Sequence, residues 1–282
     1  MTSELTDRCS QLNRHELLAG SALTDQQILI LEQPGSWGRD AVAESGLEPD
    51  LWQSAEPSRV LLARHPSRTR PSTERHWWTL QVKGSDVVTN HGQVAWSQTL
   101  TDHIWSTSSR EPAAATVFLC TNGKRDRCCA EFARALLRQF PDEPRLWEIS
   151  HLGGHRFAPT ALALPSGIMF GKLDSDSLRA IMSCELPTRQ QIRGRVGRSV
   201  TRQVAEIAAA SRLHVPMTQL VSQDLGAIAP SPAVTETHVL VSAATATGPV
   251  SITVQLSRQV SPLRPKSCGK PLEQDEYWRA TA

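Results

Sequence analysis

The chain has 282 residues, 39% hydrophobic and 21% charged, with a formal net charge of +2. That length suits one large domain or two ordinary ones, and the composition excludes a disordered chain. So small a charge excludes the basic stripe of a nucleic-acid binder, and no apolar run approaches the roughly 18 residues of a membrane span.

The opening residues, MTSELTDRCS, show no basic segment followed by an apolar stretch, so a cytoplasmic protein with no membrane partner is expected. ILILE at Ile28–Glu32 predicts a first strand, stopped by Pro34-Gly35 and followed by a short helix over Arg39–Ser45. SRVLLAR at Ser58–Arg64 and WWTLQV at Trp77–Val82 predict two more strands. The small, polar stretch Ser106–Ala114 marks a boundary, placing an N-terminal α/β region over 1–108.

A second region, 109–214, opens on a strand at Thr116–Leu119. Phe132, Leu136 and Phe140 recur every fourth residue as one apolar stripe of a helix that ends before Pro141. Arg145–Ser150 reads as a strand, and Ala161–Leu164 with Ile168–Phe170 reads as a hairpin around Pro165-Ser166-Gly167. A helix with Val196, Val200, Val204 and Ile207 on one stripe closes the region near Leu213.

Thr188–Gln203, with Arg189, Arg193, Arg195, Arg198 and Arg202 and no acid, reads first as a solvated helix face with its approach loop. Its second reading is a docking patch for an acidic partner. The β-α-β-β-β-α order is that of a thioredoxin-like unit, so the fold class is α/β. Residues 215–282 add a β-rich extension with strands at Thr237–Ser242 and Val250–Leu256 and a polar tail whose lone Trp278 serves as an anchor. A strand–turn–helix–strand–histidine pattern occurs twice, from Ile28 to His65 and from Thr116 to His151, which suggests a degenerate repeat with the same strand order in both halves.

The chemistry concentrates in two stretches. In VFLCTNGKRDRCC, Cys120 ends a strand and Cys128 and Cys129 open a helix; in WEISHLGGHRF, His151 and His155 bracket Leu152-Gly153-Gly154 just after another strand. In a reducing cytoplasm clustered cysteines point to metal or redox work rather than structural disulfides. The helix N-terminus favours the thiolate, with Arg125 and Arg127 adding to it, and the two glycines let the loop aim both imidazoles at one point. Two thiolates beside two imidazoles suit iron–sulfur, zinc or copper, not magnesium or calcium. The eight residues between Cys120 and Cys129 do not fit zinc-finger knuckles, and Leu152 stands where a metalloprotease helix needs glutamate. Cys9, Cys184 and Cys268 are isolated in sequence and read as inert thiols. His65, His76, His91 and His103 read as surface or hydrogen-bonded histidines.

The motifs C-T-N-G-K-R-D-R-C-C and H-L-G-G-H-R-F-A-P-T resemble those of the sucrase/ferredoxin-like family, which includes fungal proteins of the actin-patch-distribution type. The likeness extends loosely to Gln33–Gly38 and Ser267–Lys270. The resemblance implies a thioredoxin-like ferredoxin fold holding a [2Fe-2S] cluster, one iron on two cysteines and the other on two histidines. Carried onto this chain the ligands are Cys120, Cys129, His151 and His155, with Cys128 the alternative to Cys129. Electron transfer or redox chemistry follows, with a ferredoxin or flavin reductase as partner. Sugar hydrolysis is not expected, because no motif places two carboxylates about a glycosidic bond. Two other readings use the same residues: a cluster-free thiol protein of thioredoxin type, which would normally show C-x-x-C, and a zinc-stabilised binding protein.

Overall fold

The computed structural model describes residues 8–67, 73–105, 115–225 and 235–281; the expected boundary stretch Ser106–Ala114 lies outside them. The described chain opens on α1 (Cys9–Leu12), a single turn. β1 (Gln27–Glu32) follows, burying Ile28 and Ile30 in one core and Leu29 and Leu31 in another. A strand apolar on both faces belongs in the middle of a sheet covered on both sides, and β1 sits between β2 (Arg59–Arg64), to which it is parallel, and β3 (Glu74–Lys83), antiparallel. β3 turns at Gly84 into β4 (Asp86–Ala95), a partly exposed edge strand. Arg39–Ser45 forms turns, not the expected helix. Asp40 Oδ1 accepts from the Ala43 N–H at 3.1 Å and the Ser45 hydroxyl donates to Val42 O at 2.6 Å, so side chains take up the local backbone bonds.

The second half repeats the plan. β5 (Thr116–Cys120) runs parallel to β6 (Leu146–Ile149) across helix α2 (Arg127–Leu137). β7 (Ala161–Leu164) pairs antiparallel with β5 and with β8 (Ile168–Phe170). Helix α3 (Ser175–Met182) then leads to β9 (Ile192–Arg195), and both are additions to the expected elements. The sheet order is β4-β3-β1-β2-β6-β5-β7-β8-β9, so β4-β3-β1-β2 and β8-β7-β5-β6 are the same arrangement turned about the antiparallel β2–β6 seam. The repeat therefore shows the common strand order it required. One core, including Ile30, Trp78, Phe118 and Leu162, spans both halves on one face of this sheet; on the other face each half has its own.

The arginine-rich segment is corrected. Arg193, Arg195 and Arg198 are only 2%, 2% and 0% exposed, so these three form neither a solvated face nor a docking patch. Helix α4 (Val200–Leu213) brings Glu206 beneath them: Arg195 donates to it at 2.8 and 3.0 Å and Arg198 lies 3.3 Å away. The compensating acid lies outside the window in which the segment looks uncompensated.

The other face of α4 packs on an antiparallel sheet of β10 (Leu220–Leu225), β11 (Glu236–Thr245) and β12 (Gly248–Val260). After a small hairpin of β13 (Arg264–Pro265) and β14 (Leu272–Glu273), β15 (Glu276–Ala280) completes that sheet, and the half-buried Trp278 packs against its core as the expected anchor. The molecule is thus mixed α/β with a β-rich C-terminal region. Among the described residues no helix is long and apolar enough to cross a membrane.

Candidate metal centre

Strand register sets the site. Cys120, the last residue of β5, lies beside Ile149 of β6, so the chain leaving β6 carries His151 past the same sheet edge. Cys120 is anchored by its own N–H, which donates to Thr160 O at 2.9 Å. The chain returns through α2, capped by Asp126, whose side chain accepts from the Cys128 N–H at 2.9 Å. That cap places Cys129 in the first turn, 1% exposed and in the same core as Cys120.

The intervening Gly153 and Gly154 adopt φ of +71° and +66°, a left-handed pair that residues with a Cβ rarely tolerate. This tight loop stacks His151 on His155 with ring centroids 4.4 Å apart and planes 19° apart. Ligand atoms of Cys120, Cys129 and His151 lie within 4.8 Å of one another; His155 is outside that group and is placed beside it by stacking on His151. The thiols are buried and the two imidazoles half-exposed.

The protonation states favour ligation. A hydrogen bond from Cys129 holds the Cys120 thiol well below the ordinary range despite burial, helped by His151 and the Leu152 N–H. The same bond, with burial, pushes Cys129 up. Burial, then the neighbouring His151, lowers His155 to about 4, so at neutral pH its imidazole is uncharged. One thiolate and a neutral imidazole are the forms that bind metal.

Two features escape a reading of the sequence. The first is Arg193, which crosses under the histidine loop and donates to Gly153 O at 3.1 Å, and to Leu152 O at 3.4 Å. A Cβ on Gly154 would lie 2.8 Å from Arg193 Nη2. Nothing in the arginine run distinguishes this residue; only its place under the histidine loop does.

The second corrects the reading of Cys9 and Cys268 as isolated thiols. Cys128, adjacent to Cys129, does not join Cys120; its Sγ lies 3.5 Å from Cys9 Sγ and 3.2 Å from Cys268 Sγ. Cys9 and Cys268 are themselves 3.6 Å apart, and Asp126 completes the group. The doublet thus feeds two destinations, Cys129 towards Cys120 and His151, Cys128 towards the termini. Cys184 is exposed and stands outside both groups. Of the scattered histidines, His76 and His91 pair with each other at 2.9 Å and His65 bonds Ser67 at 2.7 Å, as hydrogen-bonded histidines should.

No curated protein and no solved structure matches the chain. The family model described as sucrase/ferredoxin-like matches residues 18–202, a span that contains Cys120, Cys129, His151 and His155 and covers well over half of the chain. The protein belongs to the sucrase/ferredoxin-like family.

Proposed function

We propose that the chain carries a [2Fe-2S] cluster on Cys120, Cys129, His151 and His155 and works in electron transfer in the cytoplasm. One observation carries this reading: the Nδ1 atoms of His151 and His155 are buried without a hydrogen-bond partner, beside two buried thiols. A buried polar group left unmade costs about 1–3 kcal/mol, and a metal group that takes both lone pairs removes that cost. The soft and borderline donors fit iron–sulfur chemistry.

Bound there, the cluster supplies one-electron transfer at a potential raised by neutral imidazoles, as in centres where two histidines move it from about −400 mV to roughly −150 to +300 mV. The residues of the chain do the rest. Cys120 and Cys129 form the buried end of the site and shield it from solvent, while the half-exposed His151 and His155 present the edge that a partner would meet. Exposed Lys124, Arg125 and Arg127 flank the start of α2, a charge that suits an acidic ferredoxin or a flavin reductase. The chain shows no G-x-G-x-x-G after a strand, so a flavin or nicotinamide would belong to that partner.

The test is anaerobic purification with iron supplied, followed by visible absorption, metal and sulfide analysis, and EPR of the reduced protein. A brown protein with about two irons and two sulfides per chain and a low average g value is expected; a protein colourless after reconstitution overturns the reading. Its potential should fall with rising pH once an imidazole proton is lost from the oxidised form, by about 59 mV per unit for one proton per electron. A potential flat between neutral and alkaline pH would count against the histidines.

A further inference from the structure

We propose that Cys9, Cys128 and Cys268, with Asp126, form a second and separate metal site: a closed, four-coordinate zinc centre that ties both ends of the chain to the start of α2. The inference stands on the second thiol group alone and holds whether or not the first site carries a cluster.

The three sulfurs and the carboxylate are spaced as the donors of one tetrahedral ion are. A zinc ion with Zn–S of about 2.3 Å puts its sulfurs about 3.8 Å apart, and the three sulfur separations here are 3.5, 3.2 and 3.6 Å. All three are far longer than the roughly 2.05 Å of a disulfide. One disulfide would also leave the third sulfur unused, whereas a metal takes all three. Both carboxylate oxygens of Asp126 lie 3.9 Å from Cys9 Sγ, close enough for the fourth position.

Asp126 is also fixed from outside. Its Oδ2 accepts from the Ser267 hydroxyl at 2.6 Å and the Cys268 N–H at 3.0 Å, and its Oδ1 accepts from the Cys128 N–H at 2.9 Å and otherwise faces only the Cys9 thiol at 3.9 Å, whose proton leaves when zinc binds. A carboxylate oxygen has a second lone pair, so Oδ1 keeps one for the ion, and the bonds to Oδ2 are the outer-shell support that ligating carboxylates usually have. Three thiolates with one carboxylate select zinc over magnesium or calcium. Cys9, Cys128 and Asp126 are buried and Cys268 half-buried, so no position is left open for substrate, which marks a structural rather than a catalytic centre.

The site also explains how distant segments are held. Cys9 lies 119 residues from Cys128, and Cys268 lies 140 beyond it. One is the first residue of a four-residue helix and the other sits in the loop of a two-stranded hairpin, neither of which is stable alone in water. As the ion binds, the three thiols release their protons to solvent.

The experiment is zinc analysis of the full-length protein purified without added metal, for the wild type, Cys120→Ser, Cys268→Ser and Cys268→His. The expected result is one zinc per chain in the wild type, retained in Cys120→Ser, reduced at least tenfold in Cys268→Ser and regained in Cys268→His, which restores a zinc donor. Cobalt substitution gives an independent readout: the wild type should show the intense visible bands of tetrahedral thiolate cobalt and Cys268→Ser should lose them. A zinc-free wild type with a Cys–Cys disulfide among these three residues overturns the proposal. So does zinc that disappears with Cys120→Ser and survives Cys268→Ser, since the ion would then belong to the first site.

Discussion

The two halves of the nine-stranded sheet share one strand order but differ where their first strands end. In β1–β2 the last paired position of β1 is Glu32, beside Ala63; in β5–β6 it is Cys120, beside Ile149. Two residues after Ala63 and Ile149 come His65 and His151. The first half therefore places a carboxylate and an imidazole where the second places a thiol and an imidazole. Its strand end opens on a cleft of about 1130 Å³ lined by Glu32, His65, His76 and Trp147, and Glu32 spends its Oε2 on the His76 N–H at 2.9 Å. In the second half a true helix returns Cys129 to the strand end, whereas the first half has only turns and short 3-10 segments there. The topology makes two equivalent places and the loop sequence equips one of them.

The largest expected effect breaks that comparison outright. Cys120→Ser or Cys129→Ser should abolish the visible chromophore and the bound iron after anaerobic reconstitution, while Glu32→Gln, His65→Ala and Cys128→Ser leave both in place. Loss of the chromophore in Cys128→Ser with retention in Cys129→Ser would reverse the assignment of the doublet.

The next effect tests whether the halves are one unit. At their seam Arg64 donates to Glu148 Oε2 at 3.1 and 2.6 Å, both side chains only 8% exposed, and the Thr121 hydroxyl adds a bond of 2.5 Å. Removing one partner of a buried ion pair costs about 3–5 kcal/mol. Glu148→Gln should therefore lower the urea midpoint in a single cooperative transition followed by tryptophan fluorescence. Two resolved transitions would mean that the halves unfold separately.

Much of this was legible in the sequence, for physical reasons that vary by element. β1, β2 and β5 are unbroken apolar runs, and the histidine loop declares itself through its two glycines. β4 was hidden because its half-buried edge sequence, DVVTNHGQVA, shows little apolar alternation. β9 was hidden because its sequence, IRGR, looks solvated until Glu206 arrives from the next helix. The first candidate ligand group lies in two short motifs, so its members could be named. The second could not, since Cys9, Cys128 and Cys268 meet only through tertiary structure across a separation of 259 residues.

A smaller change sharpens the role of the glycine loop, which the first half lacks. At φ of +66° and with a Cβ 2.8 Å from Arg193 Nη2, Gly154→Ala should cost about 1–3 kcal/mol. Because the strain falls beside His155, iron occupancy should drop more than in a surface variant of equal stability. Equal occupancy in the two would separate the loop's conformation from its role in ligation.

The smallest effect concerns α3, which has no counterpart among the described residues of the first half. Asp174 caps it, accepting from the Ser177 N–H at 2.8 Å while the Ser177 hydroxyl accepts from the Asp174 N–H at 2.9 Å. Asp174→Ala should cost about 0.5–1 kcal/mol, the lower part of the range for caps because the residue is exposed. The bond from the Ser177 N–H holds the Asp174 carboxyl below its usual 3.8 in the folded state. The unfolded chain therefore takes up this proton first as pH falls. The stabilisation is complete above the ordinary carboxylate range and is lost as pH drops through the lowered folded value. The wild type should consequently lose its advantage over Asp174→Ala in acid, with converging urea midpoints and unchanged visible spectra at neutral pH. An advantage that persisted in strong acid would show that the neutral Asp174 carboxyl caps α3 as well as the carboxylate does.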